Sequence, residues 1–265
     1  MPRVRGPICG KDAMNLKNKI LIILGLCFIL SVSSYFIIKK MFDNFENLLL
    51  EKCRIEALTG ARMMSELMEF MVNQKVLTEA DIMDTAYREI PGSNPKKFTT
   101  RYDKIFDSLI QKIEDEFLRD PDIDFAVLAD RNGYVPTHNS KYSRAQTGDY
   151  AKDLVQSRSK RNFSSNPAIK KVIEYTGPDT IRELYHRDTG ETMWDIGAPV
   201  NFRGKHWGAF VLGVSLKRVN ELKNQMVIMI VMIMFVILSL TMLAVFAVIP
   251  RTILTSDLDG EQSHF

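Results

Sequence analysis

The stretch from Thr192 to Ser215, TMWDIGAPVNFRGKHWGAFVLGVS, decides the fold of this chain. It reads as two strands, Thr192 to Phe202 and His206 to Ser215, joined by a turn at Arg203-Gly204. In the second strand Trp207, Ala209 and Val211 point one way and Phe210, Leu212 and Val214 the other. Both faces are apolar, which predicts a central strand covered on both sides. Upstream, Thr180 to Arg187 reads as a third strand ending at the turn Asp188-Thr189-Gly190. Phe125 to Ala129 and Tyr134 to His138 flank Asn132-Gly133, and Asn-Gly between two such runs signals a hairpin. Five antiparallel strands are expected.

The remainder of the central region is helical or polar. From Phe42 the apolar residues Phe45, Leu49, Cys53, Ala57, Ala61, Met64, Met68 and Met71 recur at three or four, the mark of a long amphipathic helix. Its methionines are expected to pack on the sheet. Thr78 to Asp81 resembles a capping box, and the helix it starts ends at Pro91-Gly92-Ser93-Asn94-Pro95. Phe98, Tyr102, Ile105, Phe106, Leu109, Ile113 and Phe117 share one face of another helix, closed by Pro121. Ser140 to Thr176 is polar, with helical pieces near Tyr150 to Gln156 and Ala168 to Tyr175. The order predicts an α+β fold: a long N-terminal helix packed on a five-stranded antiparallel sheet.

Two charge-free runs flank this region, Ile20 to Ile38 with 19 residues and Met226 to Ile249 with 24. Each is long enough to cross a hydrocarbon core of about 30 Å. Arg3, Arg5, Lys11, Lys17 and Lys19 precede the first run, so the positive-inside rule keeps the N-terminus cytoplasmic. The expected organisation is a cytoplasmic tail (1–19), a first transmembrane helix (20–38), an extracytoplasmic domain (39–225), a second transmembrane helix (226–249) and a short cytoplasmic tail (250–265). The first run exceeds the usual core of a cleaved signal peptide, about 7 to 15 residues, and reads as a retained anchor.

Composition narrows the partners. The chain of 265 residues is 46% hydrophobic and 25% charged, with a formal charge of +3. Residues 39–225 hold 29 Lys/Arg against 28 Asp/Glu and are nearly neutral, so no nucleic acid is expected as a partner. Cys53 is the one cysteine of that domain, so no disulfide forms within it. The stripe through Phe45, Leu49, Cys53 and Ala57 is read as the seam of a parallel homodimer, with burial on the chain's own sheet as the competing reading.

Phe125 to Ser143, FAVLADRNGYVPTHNSKYS, and Ala198 to Gly213, APVNFRGKHWGAFVLG, together resemble the periplasmic PAS-like (Cache-type) sensory domains of bacterial methyl-accepting chemotaxis proteins. SRSKRNF at Ser157 to Phe163 and YHRDTG at Tyr185 to Gly190 fit the same pattern in the same order, and the likeness covers about residues 15 to 250. It implies a sensor in the bacterial inner membrane whose outer domain binds a small molecule. In such receptors the second span leads through a HAMP linker into a methylated coiled coil. Only Arg251 to Phe265 follow it here, which implies a truncated receptor, or one acting through a separate signalling chain or full-length receptors. Some relatives carry a c-type haem; no Cys-x-x-Cys-His occurs, so no cofactor is expected.

No Gly-x-Ser-x-Gly, His-Glu-x-x-His or P-loop is present, and His138, His186, His206 and His264 lack metal-ligand spacing, so neither an enzyme nor a metal site is expected. The candidate ligand-binding residues are Tyr134 and His138 on the second strand, Tyr185 and Arg187 on the third, Trp194, Asp195 and Trp207 on the last two, and Arg158 and Arg161 in the polar insert, expected to cover the pocket. Arginine can clamp a carboxylate, aspartate can take an ammonium, and aromatic rings supply apolar walls. Two roles fit: a membrane-bound chemoreceptor-like sensor that shifts its second span, or an interaction protein without output, assembling with full receptors or a remnant of one.

Overall fold

The computed structural model describes residues 16–248; residues 1–15 of the expected N-terminal tail (1–19), the last residue of the expected second span, Ile249, and the expected C-terminal tail (250–265) lie outside them. The chain divides into two compact units. One is Phe45–Lys223, and the described residues of the other are the helical segments 16–44 and 224–248. The two segments belong to α1 (Leu16–Asn73) and α6 (Leu216–Val248). Both helices are long and apolar enough to cross a membrane, and their most apolar stretches are unburied.

Within Phe45–Lys223, α1 carries the expected stripe. Leu49, Cys53, Ala57, Ala61, Met64, Met68 and Met71 are all buried in this unit's own core. That stripe therefore faces the chain's own core, as the competing reading has it. Next come α2 (Glu79–Ile82), whose Thr78 and Asp81 form the expected capping box, and the short strands β1 (Arg88–Glu89) and β2 (Phe98–Thr99). Then α3 (Asp103–Phe117) buries Phe106, Ile110 and Glu114.

The main sheet has four strands and not five. β3 (Phe125–Asp130), β8 (Lys205–Ser215), β7 (Thr192–Phe202) and β6 (Ile181–His186) lie in that order, all antiparallel. The Asn132-Gly133 signal does make a turn, with Gly133 at φ +78 and its N–H bonded to Asp130 O at 2.9 Å. The chain then leaves the sheet. Asp130 Oδ1 accepts the N–H groups of Asn132 and Tyr134, each at 2.9 Å, so β4 (Tyr134–Val135) pairs with β5 (Arg161–Asn162) instead of β3. On β3, the Leu128 N–H goes to the Glu114 carboxylate of α3 at 2.9 Å. A helix side chain thus caps the edge that a fifth strand would have used.

One further departure concerns β8. Val200 pairs with Gly208 and the next pair is Asn201 with His206, so Trp207 is the extra residue of a β-bulge. The bulge turns Trp207 to the helix-covered face with Phe210, Leu212 and Val214. There its Nε1 donates to Ile82 O at 2.8 Å. The opposite face, with Ala209 and Val211, is covered by the insert between β4 and β6, which holds α4 (Tyr150–Gln156) and α5 (Pro167–Glu174).

Candidate functional site

The insert-covered face encloses a cavity of ≈ 40 Å³, room for roughly three waters or a small organic molecule. Most of its wall is apolar. β3 contributes Phe125, Val127 and Ala129, α5 contributes Ile169 and Val172, and Val135, Phe163 and Val211 complete it. Alternation on β3 puts its three residues on one side of the sheet. Gly197 on β7 lets α5 descend: a Cβ there would lie 2.2 Å from Val172 Cγ1.

Four polar side chains reach this wall: His138, Arg158, Tyr185 and Asp195. Arg158 is held on every side. Its Nη1 donates to Asp188 Oδ1 at 2.6 Å and Leu154 O at 3.0 Å, its Nη2 donates to Tyr185 Oη at 3.1 Å, and its guanidinium lies over the Phe163 ring at 4.7 Å. Arg161 shares the carboxylate, donating from Nη2 to Asp188 Oδ2 at 2.8 Å, and lies over Phe163 as well. Burial works to raise the Asp188 carboxyl, but the charges and hydrogen bonds of the two arginines outweigh it and hold it low.

Asp195 has the opposite environment. It is 2% exposed and its Oδ1 has no hydrogen-bond partner among the described residues. Desolvation pushes its carboxyl up to about 8, against the pull of Arg187 and Arg158. His138 is equally enclosed, with Nδ1 unpartnered, and burial, followed by the charges of Arg158 and Arg187, drives its imidazole well below the usual range. It is neutral at physiological pH.

Arg187 is buried beside the cavity but is not part of its wall. Its guanidinium lies 4.3 Å from the Tyr142 ring centre, and Nη1 donates to Asp124 Oδ2 and Glu191 Oε2, both at 3.2 Å. Asp124 also accepts from Tyr142 Oη at 2.6 Å and pairs with Lys141.

Of the nine residues singled out in the sequence, His138, Arg158, Tyr185 and Asp195 meet at the cavity, with Arg161 and Arg187 next to it. The other three lie on the opposite face. Tyr134 enters the helix-side core and donates to Asp103 Oδ2 at 2.8 Å, because β4 ends at Val135 and a two-residue strand cannot carry Tyr134 and His138 on one face. Trp194 packs toward the helix side because it alternates with Asp195, and Arg182 lies 5.2 Å from its ring. Trp207 is turned away by the bulge. Sequence reasoning missed Asp188, read only as a turn residue, and the apolar walls, which carry no chemical signature.

No family model and no curated protein matches the chain. Among solved structures, it is similar to the crystal structure of the V. cholerae histidine kinase DctB sensor domain, at 13% identity and a TM-score of 0.34. The match covers 69% of this chain and 59% of that one, so less than two thirds of that chain's length is spanned.

Proposed function

We propose that the chain is a two-pass sensor of the bacterial inner membrane, with residues 39–225 outside, that binds a small molecule in the cavity and shifts its second membrane helix. Chemotaxis receptors with similar sequence stretches supply the expected class of output. The observation that carries the reading is Asp195. A buried acceptor with no partner costs on the order of 1–3 kcal/mol, a cost that an occupant of the cavity relieves. The charged shell around it also leads to α6, since Arg187 and Ser215 both donate to Glu191, and Ser215 precedes the first residue of α6.

Binding is tested on the full chain in detergent by thermal unfolding against small carboxylates, amines, amides and purines. The two tryptophans, Trp194 and Trp207, both lie in Phe45–Lys223, so their fluorescence reports this unit. An occupant raises the transition by RT ln(1 + [L]/Kd), and Ala129→Leu, which fills the cavity, abolishes that rise. A shift that survives Ala129→Leu places the binding elsewhere.

A further inference from the structure

We propose that the cavity's occupant is a small molecule with an N–H donor head and an apolar body, a primary alkylammonium or a primary amide, and that carboxylates are excluded. This rests on the cavity being a sensory pocket. Its warrant is which polar atoms are free and which are committed. Asp195 Oδ1 and His138 Nδ1 are buried and have no partner among the described residues, and the first is an acceptor at any pH at which the carboxyl is ionised. On neutral His138 the free nitrogen accepts or donates according to tautomer.

The cations that would hold a carboxylate are engaged. Both terminal nitrogens of Arg158 are hydrogen-bonded, and its charge and that of Arg161 converge on Asp188. Arg187 retains two unpartnered nitrogens, Nε and Nη2, but lies on the Tyr142 ring outside the cavity wall, with Asp124 and Glu191 on Nη1. Every wall residue from α5, β3 and β8 is apolar. A carboxylate entering here would exchange water for hydrocarbon, with no free guanidinium in the cavity wall among the described residues to receive it. A donor head can pair with Asp195 while its short chain lies among Val127, Ala129, Ile169 and Val172.

The groups facing Asp195 set how the two donor types differ with pH. They are His138 beyond β4, Arg158 beyond α4 and paired to Asp188, Tyr185 on β6, and Arg187 beyond β6. A cation requires the ionised carboxylate, so it must displace the Asp195 proton below the residue's pKa of about 8. Affinity for an ammonium then falls about tenfold per pH unit below that value. A neutral amide is free of that competition.

The test compares propylammonium, propionamide and propionate, molecules of nearly equal size, by tryptophan-reported unfolding of the full chain in detergent at pH 6.5 and 8.5. A rise with propylammonium or propionamide and none with propionate supports the proposal; for propylammonium the rise is larger at pH 8.5, and Asp195→Asn removes it. A rise with propionate alone overturns the donor-head assignment and leaves the sensory pocket standing. No rise with any of the three, at millimolar concentrations and both pH values, overturns both. The comparison among the three compounds on the unmodified chain does not depend on the variant's folding.

Discussion

Ser215 donates its hydroxyl to Glu191 Oε1 at 3.2 Å, so the last residue of β8 is tied to the loop between β6 and β7 at the point where α6 begins. Glu191 Oε2 accepts from Arg187 Nη1, and Arg187 also holds Asp124. Three segments, the start of β3, the β6–β7 loop and the β8–α6 junction, thus meet through one guanidinium whose side chain is 2% exposed. Nearby, Arg218 on the first turns of α6 lies 3.9 Å from Asp122. These contacts join Arg187 and the β6–β7 loop to the start of α6.

The two carboxylates on Arg187 should differ in consequence when removed. Asp124→Ala deletes the partner shared by Arg187, Tyr142 and Lys141 and leaves a buried guanidinium with Glu191 alone, a loss of about 3 kcal/mol in unfolding free energy. Glu191, at 37% side-chain exposure, holds a partly solvated bond, and Glu191→Ala should cost about 1 kcal/mol. Urea titrations read both; equal losses would show that Arg187 does not depend on Asp124.

The pH dependence of stability should carry the mark of Asp195. Its folded-state pKa of about 8 lies above the unfolded value near 3.9, so the native state binds the proton more tightly. Its stabilising contribution is complete below about pH 4 and is lost as pH rises toward 8, at a slope approaching 1.4 kcal/mol per unit. His138 acts in the opposite direction: its depressed pKa removes stability as pH falls below the unfolded value of about 6.5. The difference between wild type and Asp195→Asn isolates the first effect. The variant should gain on the wild type from pH 5 to pH 8 in denaturant titrations. A constant difference across that interval would mean that Asp195 is ionised throughout.

Glu114 behaves as a structural acid. Burial raises its carboxyl well above the usual range, while the Leu128 N–H works against that rise. Glu114→Gln keeps an acceptor for Leu128 and should leave stability near pH 7 within about 1 kcal/mol of wild type. Glu114→Ala leaves a buried edge N–H without a partner and should cost about 2 kcal/mol or more. Equal stability of the Ala and Gln variants would remove the edge cap as a reason for the four-stranded sheet.

What the sequence revealed follows from the range of the interactions concerned. The α1 stripe from Leu49 to Met71 was legible because burial of one helix face imposes a spacing of three or four. The Thr78–Asp81 cap was legible because it closes within a few residues. The fate of β4 was not, since it depends on Asp130 taking the Tyr134 N–H and on Glu114 reaching Leu128 from another helix. Nor was the face of Trp207, because one bulge residue inverts alternation without changing composition. Trp194 beside Asp195 could have been excluded on alternation alone. Trp207→Phe tests the reassignment: it should cost about 1 kcal/mol through the lost bond to Ile82 O and leave the response to any cavity ligand unchanged. A lost response would return Trp207 to the pocket.

The homodimer expectation takes a different seam once the buried stripe is assigned to the core. Cys53 is 0% exposed and its thiol is pushed up to about 12 by burial, so neither access nor thiolate chemistry favours a crosslink there. The outward face of α1 instead presents Leu48, Ile55, Met63 and Phe70, between 42% and 71% exposed and spaced by seven or eight residues, two turns of helix. Large apolar side chains in such a row suit a second copy of the same helix, and a shared membrane orientation would make the pair parallel with like positions opposed. In a chain with Cys9, Cys27 and Cys53 changed to Ser, Ile55→Cys should therefore form a disulfide dimer in membranes under mild oxidation, since bridging needs Cα atoms about 4.4 to 6.8 Å apart. Glu56→Cys, one residue around the helix and half-buried against the unit's own core, should not. Crosslinking at both positions would reflect random collision, and crosslinking at neither would leave this face to some other partner.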